Sequence, residues 1–194
     1  SLNVEVNMTA NIDVSELLSF CHTKGYKFYP TLIYCVTKVL NRIENFRMFN
    51  DLDGNLCVWD SLVPNYTIFH EEDHTFSDCW TDFTDDFDSF YKNITSDMEL
   101  GKTKRGIKVK LGQPANFYCV SCTPWTAFTA VSSRMVNGGA AFFPIITAGK
   151  YDDNYQMPVN ITIAHAVADG YHIGLFFSDL QKEVSLKSLK SNLE

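Results

Sequence analysis

The chain has 194 residues, 45% of them hydrophobic and 14% aromatic, which suffices for one large core and not for two ordinary domains. One compact domain over residues 1–194 is therefore expected. The formal charge of -7 leaves no basic face to displace counterions, which argues against DNA or RNA as a partner. No apolar run is long enough to span a membrane and no signal-type segment opens the chain, so neither anchoring nor export is expected.

The chain opens strand-like over residues 1–6 without an initiator Met, which suggests that a segment normally precedes Ser1. Residues 15–23 predict a short helix. Residues 31–43 predict a second, entered through Pro30, with Leu32, Cys35, Val36, Val39, Leu40 and Ile43 recurring on one face. Strands are expected at 56–60 and 66–70. A third helix is expected from Ser77, where Trp80, Phe83, Phe87, Phe90, Ile94 and Met98 mark an apolar stripe that reads as core. Asp82, Asp85, Asp86 and Asp88 fall on its opposite face, without the loop and glycine of a calcium site, and read as solvated charge. Residues 100–113 form a loop bearing Lys102, Lys104, Arg105, Lys108 and Lys110, either solvated or attractive to an anion. Strands at 116–123, 140–151 and 156–167 follow, and Ile173, Phe176, Phe177, Leu180 and Val184 then recur at helical spacing. The order predicts an α/β two-layer sandwich with a mixed sheet.

The six cysteines lack the paired spacing and nearby histidines of a zinc site. Cys119 and Cys122 stand two residues apart, but in an alternating apolar strand and not at a helix start, where a thiolate would be stabilised. They read as structural thiols in a reducing cytoplasm.

The phrase richest in chemistry is Ile163-Ala164-His165-Ala166-Val167-Ala168-Asp169-Gly170-Tyr171-His172. It places His165 where an extended run gives way to an amphipathic helix, a joint that holds a side chain rigidly and leaves its tip open. Imidazole exchanges its proton most readily near neutral pH. A histidine near an Asp-Gly turn also occurs for purely structural reasons, so the phrase acquires meaning from the rest of the chain.

The rest of the chain resembles the type A chloramphenicol acetyltransferases over nearly its whole length. The phrases that carry the resemblance occur in one order: Tyr26-Lys27-Phe28-Tyr29-Pro30, Asn45-Phe46-Arg47-Met48, Val58-Trp59-Asp60-Ser61, Tyr66-Thr67-Ile68-Phe69-His70, Thr75-Phe76-Ser77, Ser121-Cys122-Thr123-Pro124-Trp125, Pro144-Ile145-Ile146-Thr147 and residues 165–172. The resemblance implies the acyltransferase fold that uses coenzyme A and a homotrimer with each active site in a cleft between neighbouring subunits. Acetyl-CoA is then the acyl donor, a co-substrate with no permanently bound cofactor or metal, and an antibiotic-resistance activity in the cytoplasm follows.

Residue by residue, the resemblance makes His165 the general base for the acceptor hydroxyl. Ser121 becomes the hydrogen-bond donor to the oxyanion, and Thr147 supports the tetrahedral intermediate through ordered water. Asp169 becomes a carboxylate that braces the site, its arginine partner belonging to the N-terminal segment. Lys27 is expected near the ribose phosphate of coenzyme A, with Tyr29 beside it and Tyr151 at the adenine end. Leu2, Val4, Val6, Phe76 and Ile145 would line the acceptor pocket. The departures fall in that same region: Val131 and Ser133 stand where Phe and Leu are expected, Asp78 where a small apolar residue is expected, and Ala164 and Ala168 replace a histidine and a cysteine. Losing that apolar area weakens a pocket whose affinity for a dichloroacetyl nitrophenyl compound comes from buried contact, about 25 cal/mol per Å². Another hydroxyl acceptor, or a non-catalytic trimer that only sequesters a ligand, stands as the alternative.

Overall fold

The computed structural model describes residues 4–133, 141–191 and 193. Its centre is a six-stranded sheet in the order β1-β8-β7-β6-β4-β5, formed by β1 (Glu5–Asp13), β4 (Val63–His70), β5 (Thr75–Trp80), β6 (Phe117–Thr123), β7 (Ile145–Gly149) and β8 (Gln156–Ala164). The β4–β6 and β6–β7 pairs are parallel and the rest antiparallel, which gives the mixed sheet expected. A small hairpin of β2 (Met48–Asn50) and β3 (Leu56–Val58) stands apart, closed by Asp51, whose carboxylate accepts from the backbone N–H groups of Asp53 and Asn55.

The described residues also form the helices α1 (Ser15–Lys24), α2 (Phe28–Arg42), α3 (Phe87–Lys102), α4 (Gly170–Glu183) and α5 (Leu186–Ser191), with a 3-10 turn at Glu44–Arg47. Strand alternation sends Tyr66, Ile68, Tyr118, Val120, Ile146, Ala148, Val159 and Ile161 into the core, where they join Leu32, Ile33, Val36 and Leu40 of α2 and Phe176 and Leu180 of α4. α2 is the most deeply buried helix, covered on nearly every side, so its apolar residues exceed the one-face stripe read from the sequence. Where α3 crosses β4, Gly101 packs so closely on Ile68 that a Cβ there would push the end of the Ile68 side chain aside. No helix among the described residues is long and apolar enough to cross a membrane.

One expected element is wrong in kind. Residues 75–80 are not the start of a helix but strand β5, paired with β4, and α3 begins at Phe87. Phe83 joins the aromatic core from the intervening loop, 5.8 Å from Tyr34 and 5.5 Å from Phe90, which is why the helical spacing looked continuous. The acidic residues therefore do not form one helix face. Asp86 caps α3 through Ser89 N–H at 2.8 Å, and Asp88 accepts from the Tyr26 hydroxyl at 3.0 Å. Smaller differences are ordinary fraying: the strand expected at 140–151 covers Ile145–Gly149 and that at 156–167 stops at Ala164.

Burial pushes the Cys119 and Cys122 thiols up to about 11, so both stay protonated and weakly nucleophilic near neutral pH, in keeping with structural thiols.

Candidate active site

One face of the sheet carries the helices, and the other carries a band of polar side chains. Ser121 on β6 lies opposite Thr147 on β7, Thr147 opposite Asn160 on β8, and Asn160 opposite Thr9 on β1. Asn160 is buried and donates to Thr9 Oγ1 at 3.0 Å and to Asn7 Oδ1 at 2.8 Å, while its own carbonyl accepts from Thr162 Oγ1 at 3.2 Å. These hydrogen bonds hold the strand row rigid. Ser121 and Thr147 are thus neighbours about 4.8 Å apart across a parallel pair, on one face.

Ser121 opens into a groove of about 750 Å³ at the end of the sheet, whose walls include Phe28, Tyr29, Thr67, Phe69, Phe76 and Trp125. Three of the expected site residues, Ser121, Tyr29 and Phe76, meet here. The Tyr29 hydroxyl donates to the Val120 carbonyl at 3.2 Å, which anchors the N-terminal turn of α2 to β6 beside Ser121. Lys27 immediately precedes α2, and the Phe28 ring lies 6.3 Å from that of Tyr151. Lys27, Tyr29 and Tyr151 therefore gather at one end of the groove. The Lys27 ammonium meets Glu99 Oε1 at 2.8 Å, an exposed pair of the kind that exchanges readily for another anion.

His165 stands elsewhere. β8 ends at Ala164, the His165 N–H donates to the Val4 carbonyl at 2.8 Å, and the chain then turns into α4. The ring is exposed, and its Nδ1 lies 3.1 Å from the Ala168 carbonyl. A carbonyl only accepts, so Nδ1 carries the proton and Nε2 keeps its lone pair for an incoming hydroxyl. Ala168 thus contributes its backbone, not its side chain, to the base.

Asp169 caps α4, accepting from Tyr171 N–H at 2.9 Å and from His172 Nδ1 at 2.9 Å. Partial desolvation raises its pKa, but the hydrogen bonds from Tyr171 and His172 outweigh that effect and hold the carboxyl below the usual range. It fixes the direction in which α4 leaves the His165 turn, and half of its side chain remains open to a further partner.

The distance between the two halves decides how they can work. Ser121 is level with Asn160, and His165 lies five residues further along β8 and two strands across. At about 3.3 Å per residue and about 4.8 Å per strand, their backbones are about 19 Å apart. Two side chains of that size cannot close such a gap onto one carbonyl.

The other expected lining residues divide between these halves. Val4 is exposed beside His165, Val6 pairs with Ile163 and packs on the core, and Ile145 lies on the open face opposite Thr162. Asp78 sits on β5 opposite Thr67, and Val131 and Ser133 are partly buried in the coil that follows Trp125. Leu2 lies outside the described residues. Thr67, Phe69, Cys122 and Trp125 line the groove although the sequence reading gave them no role in the site. Reading residues 75–80 as a strand would have exposed the pairing that brings Thr67 and Phe69 to Phe76 and Asp78.

The mixed six-stranded sheet packed on one layer of helices is a fold of the acyltransferase type. Solved structures share this fold: one described as chloramphenicol acetyltransferase aligns with a TM-score of 0.80 at 22% identity, covering 93% of this chain and 88% of that one. A dihydrolipoamide acetyltransferase from Azotobacter vinelandii aligns with a TM-score of 0.72 at 14% identity, covering 98% and 84%. The family profile described as Chloramphenicol acetyltransferase matches residues 1–181. A chloramphenicol acetyltransferase of Clostridium perfringens is 41% identical over 182 residues, covering 92% of this chain and 83% of the relative, and one of Staphylococcus aureus is 38% identical over 179 residues, covering 91% and 83%. The chain belongs to the chloramphenicol acetyltransferase family.

Proposed function

We propose that this chain transfers the acetyl group of acetyl-CoA to a hydroxyl of chloramphenicol, in a site made by His165 of one copy and Ser121 of the next. The observation that carries this reading is the His165 ring, held by the Ala168 carbonyl with Nε2 free and exposed on a surface of the protomer. Nε2 takes the proton of the acceptor hydroxyl as its oxygen attacks the thioester carbonyl, a step worth about two to four powers of ten in rate. The carbonyl oxygen gains charge and accepts from Ser121 Oγ, with Thr147 one strand away to order a water against the intermediate. Collapse breaks the C–S bond, and the thiolate of coenzyme A recovers the proton from His165.

Donor binding falls to the cluster at the start of α2. Lys27 exchanges Glu99 for a phosphate oxygen, the free N–H groups of the helix start add positive potential, and Tyr151 offers a flat face for adenine. The separation of His165 from Ser121 supports a cyclic trimer in which each cleft takes its base from one neighbour and its oxyanion donor from the other. The six free cysteines fit a reducing cytoplasm, and the chain acts as one acetyltransferase domain.

The direct experiment is thiol release from acetyl-CoA with and without chloramphenicol. Acceptor-dependent release is expected. Release with other alcohols alone would point to a different acceptor, and none with any acceptor to a sequestering protein.

A further inference from the structure

We propose that Asn45 is a positioning residue for the general base, its side-chain amide holding the turn whose Ala168 carbonyl orients the His165 ring; this deepens the acetyl-transfer reading above and rests on it. Residues 165–168 lie between the end of β8 at Ala164 and the cap of α4 at Asp169. They make a single turn, in which the Val167 and Ala168 N–H groups both donate to the Ala164 carbonyl, at 3.2 and 3.3 Å. From within the turn, His165 Nδ1 lies 3.1 Å from the Ala168 carbonyl. From outside it, Asn45 Nδ2 donates to the Val167 carbonyl at 2.7 Å, across 122 positions of sequence. A carbonyl only accepts, so the nitrogen of the Asn45 amide and not its oxygen must face Val167.

The arm that carries Asn45 is itself fixed. Asn45 stands in the 3-10 turn Glu44–Arg47 beside Phe46, which is fully buried and meets the Phe176 ring of α4 edge-on at 6.0 Å. At the end of that turn the Arg47 guanidinium donates to the Trp59 and Asp60 carbonyls, and the Trp59 N–H donates back to the Arg47 carbonyl at 2.9 Å. Core packing on one side and the edge of the small hairpin on the other therefore set where the amide points.

The His165 ring is exposed, so packing does not fix its direction, and the Ala168 carbonyl does. The Val167 carbonyl belongs to the peptide unit immediately before Ala168. Each unit is planar and turns as one piece, so a tilt at Val167 carries over to the Ala168 carbonyl. Without the Asn45 donor the part-buried Val167 carbonyl lacks its partner, and the turn relaxes to find another. The ring is then released to the tautomer with its proton on Nε2, the form free histidine prefers, which offers the acceptor hydroxyl no lone pair. Asn45 thus acts through the turn and not on the reacting atoms.

Asn45→Asp keeps the shape of the side chain but sets an acceptor against the Val167 carbonyl, and Asn45→Ala removes the donor alone. Both are expected to lower kcat about tenfold or more with chloramphenicol, while KM for acetyl-CoA stays nearly unchanged. In the nitrogen resonances of the His165 imidazole, recorded without substrate, the unaltered protein is expected to show the tautomer protonated on Nδ1. Both variants are expected to shift toward the one protonated on Nε2. Added to His165→Ala, Asn45→Asp is expected to cost much less than it costs alone, because the group it positions is gone. Unchanged kcat in both variants, or an unchanged tautomer, would overturn the inference. An equal cost with and without His165, or a collapse of Tm in both variants, would overturn it too, making Asn45 a support of the fold at large. No acceptor-dependent thiol release by the unaltered protein would instead overturn the acetyl-transfer reading, and the tautomer measurement, which needs no turnover, keeps the two failures apart.

Discussion

His165→Ala is expected to lower kcat by about two to four powers of ten while leaving the affinity for acetyl-CoA nearly unchanged. In the proposed site the ring moves protons and does not hold the donor, whose phosphate and adenine are assigned to Lys27 and Tyr151 near the start of α2. Nor does the fold depend on the ring, which is exposed and spends its one internal hydrogen bond on the Ala168 carbonyl. Steady-state rates together with calorimetric titration of coenzyme A separate the two effects. Near-normal turnover in the variant would remove His165 from the mechanism. A parallel loss of donor affinity would make it a positioning residue for acetyl-CoA.

Ser121→Ala is expected to lower kcat by about a hundredfold to a thousandfold, with a much smaller effect on donor affinity. The hydroxyl sits on a sheet row fixed by Thr147 and Asn160, so it is pre-aimed and needs little reorganisation when charge develops on the carbonyl oxygen. A ground-state carbonyl draws less from such a donor than the oxyanion does, which is why kcat falls more than affinity. Equal losses in kcat and affinity would mean that Ser121 only seats the thioester. Ser121→Cys provides a control of similar size, whose weaker S–H donor should give an intermediate rate.

Much of the fold was legible because local pattern and final burial agree. In α2, the entry at Pro30 and the stripe from Leu32 to Leu40 describe residues that are all buried, and the run before His165 is the buried strand β8. β5 was misread because Phe83, Phe87 and Phe90 share one aromatic cluster although a loop separates the first from the helix. What makes residues 75–80 a strand is pairing with β4, a contact set by topology and not by local spacing. Trp80, counted into the helical stripe, instead lies under the Lys110 ammonium, 4.1 Å from its ring centre.

The site was legible in parts. His165 stands out from its own phrase, because a histidine between a β-branched strand and an Asp-capped helix is held in place from both sides. Ser121 and Thr147 looked like ordinary strand hydroxyls, and only the resemblance singled them out. Their adjacency depends on the parallel register of β6 and β7, whose strands are joined by a long connection that fixes no register in sequence. The offset between His165 and Ser121 was invisible for the same reason. Asn45 and Asn160 carried no role in the sequence because an asparagine acquires meaning only when its amide partners are known, and here one amide bonds the turn after His165 and the other ties β8 to β1.

The central claim is that the base and the oxyanion donor of each active site come from different copies of the chain. Co-expressing His165→Ala and Ser121→Ala chains and assaying the mixed assemblies tests it most directly. In a ring where each cleft draws on two neighbours, random mixing pairs an intact His165 with an intact Ser121 in roughly a quarter of the clefts, so about that share of normal activity is predicted to return. Mixed assemblies as inactive as either parent would contradict the account, placing both residues in a site within one chain.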